Sequence, residues 1–180
     1  NAMQFEAFDN EDKLLDSRKY YSIGGGKIIR EDSNEGLEIN EVYPHHSLTE
    51  ILQYLDENGL TFWEYVQEFE HAEIWDYLAE VLAVMKKSVE DGLNEEGVLP
   101  GGLRLRRKAM PYYTKARCYK PSLKGRCLGQ SYALAVSEQN AAGGLIVTAP
   151  TCGSCGVVPA VLYHLSKEHE FTDKQIIRSL

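Results

Sequence analysis

Apolar positions change their period near residue 45, and the change predicts two kinds of structure. Before it, Phe5, Ala7 and Phe8 precede the turn signal Asp9-Asn10-Glu11-Asp12, and the stretches from Lys19 to Ile23 and from Lys27 to Arg30 are rich in Tyr and Ile. This pattern predicts a β-ribbon over residues 4 to 30. Gly24, Gly25 and Gly26 interrupt it. Only glycine takes up positive φ or a very close backbone approach without steric cost, so the three suit either a tight turn or contact with a ligand.

After the polar, acidic stretch from Asp32 to Asn40, which suits a linker, the period becomes helical. Ser47-Leu48-Thr49-Glu50 and Thr61-Phe62-Trp63-Glu64 both have capping-box spacing, which starts a helix by satisfying its first N–H groups reciprocally. The first helix runs to Glu57, where Asn58-Gly59 stops it. The second carries Phe62, Val66 and Phe69 on one face. A third shows Ile74, Tyr77, Leu78, Val81, Leu82, Met85 and Val89 as a stripe, with Gly92 expected to end it. The stretch from Asn94 to Pro121 contains Pro100, Pro111 and the basic residues Arg104, Arg106, Arg107 and Lys108, and reads as a loop with at most one or two helical turns. Helix returns at Ser122. Tyr132 to Val136 is apolar on nearly every side, which predicts a buried helix ending at Asn140 to Gly144. Two more helices are expected, from Val157 to Lys167 and from Thr172 onward. The fold class is α+β, mostly α: a short N-terminal β-ribbon followed by a helical bundle-like domain, divided into residues 1–45 and 46–180.

With 180 residues, 43% apolar and 26% charged, the chain suits one globular domain or one and a half. Its net charge of -8, without a run of clustered cations on a neutral background, argues against a nucleic-acid partner. No run approaches the ~18 apolar residues of a membrane span, and no secretory signal opens the chain, so no membrane partner and a cytoplasmic location are expected. The four cysteines are then expected to be reduced, serving packing, redox or metal binding. Asn1-Ala2-Met3 reads as a tag remnant, and the last residues stop inside a helical pattern. Both ends read as cut from something longer.

Chemistry concentrates between Thr148 and Pro159. Cys152-x-x-Cys155 places two thiols at the mouth of a helix, where they could share a metal, form a redox pair or pack as small hydrophobes. Pro150 fixes the entry to the turn, and Gly153 and Gly156 allow close approach. Thr148 and Thr151 add hydroxyls beside helical N–H groups, which together suit an anion, whether cluster or substrate carboxylate. Arg104, Arg106, Arg107 and Lys108 could attract a carboxylate, although a solvated face is the ordinary use of such a cluster.

Four phrases carry a resemblance: Tyr20-Tyr21-Ser22-Ile23-Gly24-Gly25-Gly26; Glu96-Gly97-Val98-Leu99-Pro100-Gly101; the stretch from Ala133 to Gly144; and Val147-Thr148-Ala149-Pro150-Thr151-x-Gly153-x-Cys155-Gly156 continuing to Leu162. In this order they resemble the single-chain iron-sulfur L-serine dehydratases from about Phe5 onward. The resemblance implies that residues 1–45 end a preceding α/β domain and that 46–180 begin the helical catalytic domain. It implies a [4Fe-4S] cluster held by three cysteines, of which Cys155 matches the first and the other two lie in sequence beyond Leu180. It further implies substrate contacts at Ser22, Gly24, Gly25, Gly26, Thr148 and Thr151, L-serine as substrate, pyruvate and ammonia as products, and a homodimeric parent. Cys152 departs from the asparagine many members have there, and Cys118 and Cys127 match no ligand of the family, with packing as their default reading. On this reading the chain is a fragment that binds no cluster and is inactive alone. The resemblance identifies no catalytic base, and His164 and Tyr163, in an apolar helix, read as structural.

Two other readings stand beside this one. A zinc module would use Cys118, Cys127, Cys152 and Cys155, but the eight residues between the first two are unlike a zinc knuckle. A pyridoxal-phosphate enzyme would use the three glycines as a phosphate cup, but no lysine with a suitable motif accompanies them.

Overall fold

The structure, a computed structural model, describes residues 2–24, 27–32, 41–148 and 153–180, in two compact units. The N-terminal unit is an antiparallel sheet in the order β1 (Ala2–Phe8), β2 (Leu14–Gly24), β3 (Lys27–Arg30). Its first turn is built on Asp9, whose carboxylate accepts from the N–H groups of Glu11 and Lys13, both at 2.9 Å. This is the local side-chain bonding that makes aspartate a turn former. The register Met3↔Tyr20 and Phe5↔Arg18 puts Met3, Phe5 and Tyr20 on one face, where the rings of Phe5 and Tyr20 meet edge-on at 5.8 Å. The expected ribbon is therefore present, with three strands. Gly25 and Gly26 lie outside the described residues.

The second unit is helical: α1 (Leu48–Asn58), α2 (Phe62–Phe69), α3 (Ile74–Asn94), α4 (Ala109–Arg117), α5 (Pro121–Ala142), α6 (Ser154–His169) and α7 (Asp173–Ile177). The predicted starts of α1 and α2 hold. Ser47 accepts from the Glu50 N–H, while the Glu50 carboxylate reaches one residue further back than a capping box requires, to the His46 N–H. Glu64 accepts from both the N–H and the hydroxyl of Thr61. Gly59, at φ 63°, ends α1 in the left-handed conformation that favours glycine.

Packing centres on α5, which lies against α3, α4 and α6. Val89, Tyr132, Val136 and Ala160 form the buried core, joined by Leu93, Tyr113, Leu128 and Tyr163. A fully buried valine such as Val89 or Val136 contributes about 1.5–3 kcal/mol relative to exposure.

Several expectations change. Gly92 lies inside α3, not at its end, because it is a contact residue: a Cβ there would fall 2.3 Å from the Ala135 carbonyl oxygen. Helices α3 and α5 thus meet backbone to backbone. Tyr77, assigned to the buried stripe, is 60% exposed. The stretch read as mainly loop holds the nine-residue α4, because Pro111 occupies its third position, where a missing N–H breaks no intrahelical bond. Helix α6 begins at Ser154 rather than Val157, which brings Cys155 into its first turn.

Candidate functional site

Cys155 is the second residue of α6 and is buried, with 4% of its surface exposed. Two features of the sequence hold it there. Gly156 packs against α5 so closely that a Cβ would lie 2.8 Å from Ser137 Oγ and 3.0 Å from the Ala133 carbonyl oxygen. Asn140, one turn further along α5, donates from Nδ2 to Cys155 Sγ at 3.7 Å. Ala133, Ser137 and Asn140 are spaced at 4 and 3 residues, which places them on one face of α5. The sulfur therefore sits at the positive end of a helix dipole, with an amide donor beside it.

The opposite side of α5 carries a different polar arrangement. Glu138 is buried, and its carboxylate accepts from the backbone N–H groups of Lys108 at 2.5 Å and Ala109 at 3.3 Å. It thereby caps α4 from a neighbouring helix. Before α4, residues 97–107 fold back on themselves through a bridge between Val98 and Arg106, with Gly97 and Gly101 at φ 100° and 108°. Arg107 closes this hairpin: its side chain is 7% exposed and Nη2 meets Glu95 Oε2 at 2.5 Å. The basic cluster is thus not wholly a solvated face. Arg104, Arg106 and Lys108 are exposed, while Arg107 is buried in an ion pair.

The sequence profile of the serine dehydratase alpha chain matches residues 16–180. The chain belongs to this family. Among curated relatives, L-serine dehydratase 1 of Escherichia coli (strain K12) is 40% identical over 174 residues, which cover 90% of this chain and 38% of the relative. L-serine dehydratase TdcG of the same organism is 38% identical over 180 residues, covering 93% of this chain and 39% of the relative. The L-serine dehydratase of Streptomyces coelicolor is 37% identical over 175 residues, covering 91% and 38%. The chain thus spans under two fifths of the length of these relatives.

Within this chain the predicted site residues divide. Ser22 and Gly24 lie near the end of β2, opposite Ile28 and Lys27 of β3. Thr148 is exposed and groups with the N-terminal unit, whereas Cys155 belongs to the helical unit. Gly25, Gly26, Thr151 and Cys152 fall outside the described residues. Tyr163 packs on the core and donates to Glu90 at 3.3 Å. Burial and the Glu90 carboxylate push its phenol up to about 12. His164 lies beside Gly125.

Cys118 was expected to pack, but it is exposed at the end of α4, where its thiol donates weakly to the Thr114 carbonyl. Among the described residues no three His, Cys, Asp or Glu side chains converge as metal ligands, so Cys118, Cys127 and Cys155 do not assemble the zinc set. No described helix is long and apolar enough to cross a membrane.

Asn140 and Glu138 had no individual role assigned from sequence. Both lie in the phrase from Ala133 to Gly144. Glu138 follows the apolar run Tyr132 to Val136 inside the polar stretch Ser137 to Asn140, so nothing in the local pattern marked it as buried.

Proposed function

We propose that this chain is part of an L-serine dehydratase and that Cys155 supplies one ligand to its [4Fe-4S] cluster. The observation that carries the reading is the buried Cys155 at the start of α6, beside the Asn140 amide, in a chain whose relatives over some nine tenths of its length are named L-serine dehydratases. The donor chemistry fits one corner of a cluster, since thiolates hold such clusters and hydrogen bonds to their sulfurs tune them. When bound, the cluster supplies a Lewis acid for loss of the serine hydroxyl. In the reaction L-serine loses water to give aminoacrylate, which hydrolyses to pyruvate and ammonia.

The chain's own residues bind and orient. Asn140 aims the Cys155 sulfur, and Gly156 lets α6 come close enough to α5 for that contact. Ser22, Gly24, Gly25, Gly26, Thr148 and Thr151 are assigned to hold the substrate's carboxylate and ammonium groups. In this reading residues 1–45 close a preceding α/β domain, residues 46–180 open the helical catalytic domain, and the parent is a cytoplasmic homodimer.

Two experiments test this. Anaerobic reconstitution of the 180-residue chain with iron and sulfide is expected to give no pyruvate from L-serine, because one thiolate cannot retain a cluster against its competitors. Pyruvate formation would overturn the claim that the chain holds one corner only. In a longer protein carrying this sequence, Cys155→Ala is expected to lose iron, acid-labile sulfide and activity together. Wild-type iron and sulfide in that variant would remove Cys155 from the ligand set.

A further inference from the structure

The helical unit contains a second site, none of whose lining residues belongs to the Cys155 corner. Where α2, the start of α3 and α7 meet, a pocket of about 320 Å³ is lined by Trp63, Gln67, Trp75, Lys174, Ile177 and Arg178. Its size lies at the lower end of the roughly 300–1,000 Å³ usual for small-molecule sites. Trp63 and Trp75 are the only tryptophans of the chain, and their rings meet edge-on at 6.5 Å. The Arg178 guanidinium lies over the Trp63 ring, 4.0 Å from its centroid, an arrangement that holds a planar cation in place while leaving its N–H edge able to donate.

The charges around the pocket are unbalanced. Lys174 lies on α7 and Arg178, four residues on, is its C-cap, and among the described residues neither is in an ion pair. Of the nearby carboxylates, Asp173 pairs with Lys86, while Glu64 accepts from Thr61 and is also lowered in pKa by the Arg178 charge, so it offsets Arg178 in part and leaves Lys174 uncompensated. Two indoles and Ile177 thus face two cations and the Gln67 amide in a chain whose net charge is -8. Flat apolar walls favour a ring or branched hydrocarbon, and paired cations favour a carboxylate.

We propose that this pocket binds a small carboxylate with a planar apolar body, the ring resting against Trp75 and Ile177 and the carboxylate on Lys174 and Arg178, the latter held in place by its stack on Trp63. L-serine has no such body, so the site takes a different ligand class from the proposed substrate. The inference is independent of the reading of Cys155.

The two tryptophans report on the site directly. The chain is titrated with benzoate into the millimolar range while indole fluorescence is excited at its red edge, with acetate and benzyl alcohol as matched controls. A saturable change with benzoate is expected, at least about 10-fold weaker with either control, since each lacks one of the two contacts. Lys174→Gln and Arg178→Gln, with unchanged far-ultraviolet dichroism, are each expected to weaken benzoate about 5- to 10-fold, the factor set by loss of one charge-assisted bond. A linear or absent response to benzoate overturns the proposal. So does equal binding of benzyl alcohol, or unaltered benzoate binding in both variants.

Discussion

In β1 every residue is exposed, with Met3 at 68% and Phe5 at 59%, whereas Val89, Ala116, Ala135 and Val136 of the helical unit have no exposed surface. The sheet is held by its hydrogen-bond ladder and by cross-strand pairs such as Phe5 with Tyr20, each contributing about 0.2–1 kcal/mol. The helices are held by burial and by contacts too close to admit a side chain. Substitution on the faces of β1 is therefore expected to cost less than at the helix crossings, where single atoms decide the fit.

The sharpest way to break this contrast is Gly92→Ala. Alanine is the better helix former by about 1 kcal/mol, but its Cβ would collide with the Ala135 carbonyl, and backbone cannot swing aside. A net loss of about 3 kcal/mol is expected in urea unfolding. A wild-type midpoint would show that α3 and α5 do not meet as described.

Glu138→Ala should follow, with a loss of about 2 kcal/mol, because it strands two N–H groups at the start of α4. Faster amide exchange confined to α4 would locate the effect, and unchanged exchange there would refute the cross-helix cap.

Alkaline pH sharpens the comparison further. Burial, reinforced by Glu70, pushes the Tyr43 phenol from 10.0 up to about 12, and burial with Glu90 does the same to Tyr163. A phenol whose folded value is raised binds its proton more tightly in the folded state. Its contribution is whole below pH 10 and is lost as pH rises toward 12. Tyrosinate absorbance of the helical unit is expected to lose its latest component in the Tyr43→Phe, Tyr163→Phe double variant, and an unchanged titration would contradict the assignment.

The smallest effect is expected on the sheet: Phe5→Ala should cost no more than about 0.5 kcal/mol by the same urea measurement, since its ring is already largely in water. A loss of 2 kcal/mol or more, the range of a core truncation, would mean that this face is covered in solution.

Much of the architecture was readable because local chemistry decided it. Asp9 made its turn, Thr61 and Glu64 opened α2, and Gly59 closed α1, each through bonds within a few residues. Position 92 was misread because glycine signals an end and a close crossing with the same letter, and only the partner helix tells them apart. Helix α4 was underestimated because the carboxylate that caps it comes from thirty residues away. At the candidate site Cys155 was legible from the turn around it, but Asn140 was not, because its contact depends on which face of α5 meets α6. Cys118 was misjudged because a general tendency to burial says nothing about a residue just past a helix end.

The close seat of Gly156 on α5 has a consequence for anyone wishing to transplant the cysteine turn into another scaffold. The turn is only half of the part to be moved. Ala133, Ser137 and Asn140 form a footprint that receives it, and a host helix lacking that footprint would hold the thiol at a different height and without its amide neighbour. The transferable module is a pair of helices, with the glycine as the key and the α5 face as the lock.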